Sequence, residues 1–124
     1  MSQHRRNRGT TSYQAGLAAE EIVAQAFARK GQAILAKRWR GSGGEIDVIA
    51  QDGEGVVFVE VKKSKTHTKA AQRITHQQMQ RIYSTGAEFL ETMPKGQLTD
   101  VRIDVALVDE VGRVNVIENA YMAG

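Results

Sequence analysis

The chain reads as an α/β protein, a mixed five-stranded sheet flanked by helices in the order α-β-β-β-α-β-β. Three observations predict this. A helix-period segment precedes two strand-period runs joined by dense turn chemistry. A second helix-period segment then separates those runs from two further β-branched strands. That second helix is a crossover, so the strands before and after it lie parallel.

The elements follow in order. Residues 1–11, with Arg5, Arg6 and Arg8, read as a flexible basic arm before a single domain over 12–124. Thr10, Thr11 and Ser12 are candidate N-caps for a helix running to about Lys30, with Gly31 as its C-cap. Tyr13, Gly16, Leu17, Val23, Ala24 and Phe27 share one arc of that helix, and Glu20 falls near the middle of the same arc. A carboxylate on an apolar stripe is costly without a partner or a cation.

A short strand, Gln32 to Lys37, leads into a loop over 38–43. Strands Gly44–Ala50 and Val56–Lys62, separated by Gln51-Asp52-Gly53-Glu54-Gly55, form an antiparallel hairpin. Residues 64–70 read as a polar, mobile loop, followed by a helix from about Ala71 to Met93 that stops before Pro94. Strands Val101–Val108 and Val114–Glu118 close the chain.

Composition narrows the function. At 41% hydrophobic and 25% charged residues, the 124-residue chain is an ordinary globular one. The absence of cysteine excludes disulfides, thiolate metal sites and a cysteine nucleophile. No apolar run spans a bilayer and no apolar segment follows the basic start, so a cytoplasmic, non-membrane protein is expected. The net charge is only +3, yet the cations are segregated, with no acid between Glu21 and Glu45 or between Glu60 and Glu88. A surface that tracks a phosphate backbone needs such segregation. Arg38, Arg40, Lys63, Lys65 and Lys69 are the expected nucleic-acid contacts, with Trp39 able to stack on a base or to cover the core.

The chemistry is expected where carboxylates meet a lysine. Side chains two apart on a strand share a face, so Glu60 projects with Lys62 and Glu45 with Asp47. The hairpin brings Asp47 near Glu60. Two like charges about 4 Å apart repel by about 4 kcal/mol at an effective dielectric of about 20. A hard divalent cation, Mg²⁺ or Mn²⁺, relieves that repulsion. Asp47, Glu60, the Val61 carbonyl and Glu20 are its expected ligands, and Lys62 its catalytic neighbour. Glu45 reads as a further ligand or as a salt-bridge partner, and Arg102 with Asp104 as a structural ion pair.

Glu20, Gly-Glu-Ile-Asp at 44–47 and Phe-Val-Glu-Val-Lys at 58–62 resemble the PD-(D/E)xK nucleases. Within them, the chain is similar to the YraN-like family of small bacterial proteins, akin in fold to archaeal Holliday junction resolvases. Arg102-Ile103-Asp104-Val105 and Asn119-Ala120-Tyr121 extend the likeness. The resemblance implies a restriction-endonuclease-like core, with Asp47, Glu60 and Lys62 at the motif positions. It implies a metal-dependent nuclease acting on structured or branched DNA, with DNA ahead of RNA, and a homodimer by analogy with junction-cutting relatives. Gln78 stands where that family usually has lysine, and Arg38 where it often has asparagine. The competing readings are a nucleic-acid-binding module without turnover and a protein-interaction domain.

Overall fold

The computed structural model describes residues 3–121, with side chains from residue 14 onward. Helix α1 (Gln3–Arg29) is followed by strands β1 (Ala33–Gly41), β2 (Gly44–Asp52) and β3 (Gly55–Lys63). Helices α2 (His67–Ala71) and α3 (His76–Phe89) come next, then β4 (Val101–Val108) and β5 (Val114–Ile117). The sheet runs β1-β2-β3-β4-β5, antiparallel throughout except for the β3–β4 pair. This is the mixed five-stranded α/β architecture expected. Among the described residues, no helix is long and apolar enough to cross a membrane.

Each face of the sheet is closed by one long helix. Ala19, Val23 and Phe27 of α1 pack with Val48, Ala50, Val57 and Val59. On the other face, Met79, Ile82 and Phe89 of α3 pack with Ile46, Ile49, Phe58, Ile103 and Val105. The central strand β3 feeds both layers, so it is apolar on both sides. Full burial of side chains such as Phe27 and Phe58 contributes roughly 1.5–3 kcal/mol each. Gly86 of α3 is required by close approach, since a Cβ there would lie 2.1–2.7 Å from the Phe58 ring.

Three boundaries differ from expectation. Helix α1 begins at Gln3, ahead of the expected caps, because residues 3–11 hold one glycine and no proline. The arm expected over 1–11 falls on residues whose side chains lie outside the described ones. The expected helix from Ala71 is split. Thr66 Oγ1 accepts from the Lys69 amide to start α2, inside the segment expected to be a mobile loop. Thr75 Oγ1 accepts from the Gln78 amide to start α3. Thr75-x-x-Gln78 is the pattern of a capping box, half made here, since Gln78 Oε1 has no partner among the described residues.

The third difference positions the site. The loop expected over 38–43 is mostly strand, because Trp39 packs edge-on against Phe89, ring centroids 5.5 Å apart, and holds β1 on the sheet. Within that strand Arg38 has φ 53, the left-handed region, and no register pair joins it to Asp47 opposite. Beside it, Ile46 belongs to the α3 core and Val48 to the α1 core, so side-chain alternation slips at Asp47. Glu45 and Asp47 nevertheless line one cleft.

Candidate functional site

The β2–β3 ladder pairs residues from Asp52↔Gly55 up to Val48↔Val59. Continued, it would pair Asp47 with Glu60 and Ile46 with Val61. Instead the Val61 amide donates to Asp47 Oδ2 at 2.8 Å, and a side chain takes the place of a main-chain acceptor. Next to it Lys62 Nζ lies 3.1 Å from Glu60 Oε2, with both side chains about nine-tenths buried. Asp47 is pushed up to about 8. Burial is the largest cause, followed by a hydrogen bond shared with Glu60 and by that residue's charge, while the Val61 amide opposes the shift. The Asp47 carboxyl therefore lies within hydrogen-bonding reach of Glu60.

Glu20 reaches the same place from α1. Burial raises its carboxyl above the usual range, and Arg38 opposes that rise. The Arg38 guanidinium lies 3.7 Å from both Glu20 and Glu45, and Arg40 lies 3.3 Å from Glu45. These groups open into a cleft of about 720 Å³. Ala15, Gly16, Ala19 and Glu20 wall it from α1. Glu45, Asp47 and residues 60–63 form its floor, and Arg73 and Arg81 come from the other helical layer.

The model of the Uncharacterised protein family UPF0102 matches residues 19–108, a span holding Glu20, Asp47, Glu60, Lys62 and Arg81. The chain belongs to this family. A UPF0102 protein of Cereibacter sphaeroides (strain ATCC 17029) is 56% identical over 115 residues, 93% of this chain and 98% of the relative. One of Ruegeria sp. (strain TM1040) is 51% identical over 124 residues, the whole of both chains. One of Dinoroseobacter shibae is 41% identical over 122 residues, 98% of this chain and 91% of the relative. The YraN-like likeness read from the motifs is to this same family.

In this UPF0102 chain the expected acids, Val61 and Lys62 share one cleft. There the Val61 amide donates to Asp47, and Glu20 lies 3.7 Å from Arg38. Arg38, expected to face nucleic acid, is turned toward Glu20 and Glu45 by its left-handed backbone. Trp39, expected to stack on a base or to cover the core, packs against the core, where its ring meets Phe89. Lys63 lines the cleft; Lys65 and Lys69 do not, and Arg40 is an exposed partner of Glu45. Arg102 and Asp104 form the expected structural pair at 2.8 Å, and buried Asp104 also accepts the Asn119 amide. Sequence reasoning missed Arg73 and Arg81 as cleft residues. The signal was available, since the acid-free run that ends the third basic block continues past Arg81 to Glu88.

Among the described residues no three His, Asp or Glu side chains stand ready as a coordination shell. Mg²⁺ does not require one. It keeps several waters and is bound by one or two carboxylates together with substrate phosphates. Asp47 and Glu60, two hard oxygen donors within hydrogen-bonding reach of each other in one cleft, fit that requirement.

Proposed function

We propose that this cleft is the active site of a divalent-metal-dependent nuclease of the PD-(D/E)xK type. Its substrates are phosphodiesters of structured or branched DNA, with DNA ahead of RNA, and its cation is Mg²⁺ or Mn²⁺. One observation supports the reading above all others: Asp47 and Glu60 meet in one cleft, where Lys62 lies 3.1 Å from Glu60. Crowded carboxylates cost stability, and such an arrangement is expected at functional sites.

Asp47 and Glu60 would hold the cation. When bound, it supplies Lewis-acid polarisation of a phosphate oxygen and an acidified water. The Val61 amide fixes one oxygen of Asp47, leaving the rest of its acceptor capacity for Glu60 or a cation. Lys62 carries three ammonium donors, one directed at Glu60, and the others can orient a water or neutralise charge on the phosphate. Its buried stem keeps that charge in place. Glu20, 3.7 Å from Arg38, adds a third carboxylate to the cleft.

The test is cleavage of branched, single-stranded and duplex DNA with Mg²⁺ or Mn²⁺. Wild type is expected to cut at least one of them, and Glu60→Ala and Asp47→Asn to lose that cleavage by about a hundredfold or more. Cleavage that survives both substitutions contradicts the assignment. A second reading, a nucleic-acid-binding module without turnover, is favoured by the commitment of Lys62 to Glu60. It expects salt-sensitive binding and no cleavage with any metal.

A further inference from the structure

We infer that Arg73 and Arg81 grip the phosphodiester backbone of the strand that enters this cleft, deepening the nucleic-acid reading above, on which the inference rests. Arg38, Arg40, Arg102 and Arg113 are all paired with carboxylates. Arg73 and Arg81 line a cleft containing four acids, yet neither makes an ion pair among the described residues. Arg73 is instead anchored to the main chain, its Nη1 donating to the Lys63 carbonyl at 2.8 Å. That bond fixes the guanidinium at the end of β3, one residue beyond Lys62, with four N–H donors left over. The Arg81 stem lies over Gly44, whose added Cβ would come within 3.4 Å of its Cδ and Nε. Gly44, at φ +149, holds a backbone conformation that suits glycine and keeps that path clear.

Such placement answers an electrostatic need. A phosphodiester approaching the acids of this cleft meets like charge, at about 4 kcal/mol per close contact with an ionised carboxylate at an effective dielectric of about 20. Guanidinium groups at the rim offset this and present the paired donors that phosphate oxygens accept. The opposite wall is small. Ala15, Gly16 and Ala19 form it, and a Cβ added at Gly16 would meet nothing within 4 Å, which leaves room for a sugar.

The inference is tested on the full chain in EDTA, by fluorescence anisotropy with labelled single-stranded and duplex DNA across a salt series. Arg73→Gln and Arg81→Gln are each expected to weaken binding about tenfold at moderate salt and to lower the salt slope by about 0.7–0.9 per lost contact. Lys95→Gln, outside the cleft and paired with Glu54, is expected to change it by less than about twofold. Gly16→Leu, which projects into open space from a helix, is expected to weaken binding while the melting temperature stays level or rises. Wild-type affinity in Arg73→Gln and Arg81→Gln, or an equal loss in the Lys95 variant, overturns the inference. Cleavage assays separate the two claims. If wild type binds through these arginines but does not cut, the inference stands and the nuclease reading falls. If it cuts while both arginine variants bind like wild type, the reverse holds.

Discussion

Asp47 ties the stability of this protein to pH. In the unfolded chain its carboxyl ionises near 3.8, whereas in the folded protein it holds its proton to about 8. Between those values the folded state binds more protons than the unfolded one, so this group's contribution to stability falls as pH rises through the window. Asp47→Asn keeps an acceptor for the Val61 amide and removes the charge. Without divalent cations, its melting temperature is expected to gain on wild type between about pH 5 and about pH 9. A gap that stays constant over that range would show that Asp47 is not crowded in the folded protein. Glu60 and Lys62 were legible from strand alternation, and Glu20 from its place on an apolar stripe. The setting of Arg38 was not legible, because an arginine gives no sign of a left-handed backbone, and in that conformation it lies 3.7 Å from Glu20 and Glu45.

At the scale of elements, α3 both carries a core face and delivers Arg81 to the cleft. Its fit against β3 depends on Gly86. Gly86→Ala raises helix propensity by about 1 kcal/mol. The added methyl, however, would sit 2.1–2.7 Å from Phe58 ring carbons, and overpacking of this kind costs roughly 1–3 kcal/mol or more. The clash wins, and chemical denaturation is expected to find Gly86→Ala less stable by at least about 1 kcal/mol. A variant as stable as wild type would mean that α3 stands further from the sheet. The sheet itself was readable from the β-branched runs, because buried central strands leave a dense apolar signature. The break between α2 and α3 was hidden by continuing helical spacing, although Thr75 and Gln78 carry a capping pattern. Trp39 looked like part of a loop because glycines and arginines surround it; only the Phe89 contact identifies it as core.

For the whole molecule, the cleft exists because two helical layers meet where β2 and β3 part. Main-chain pairing between these strands runs only to Val48↔Val59, and the carboxylates occupy the gap beyond it. This arrangement joins distant parts of the chain: α1 gives Glu20 and a small wall, β2 and β3 give Asp47, Glu60 and Lys62, and the far layer gives Arg73 and Arg81. The proposed activity requires that the acids at this junction take up a hard cation. Calorimetric titration of Mn²⁺ into wild type and Asp47→Asn at about neutral pH measures that uptake directly. Wild type is expected to bind one or two ions with release of the Asp47 proton, and Asp47→Asn to lose that saturable heat. Indistinguishable titrations of the two proteins would contradict a metal site between Asp47 and Glu60.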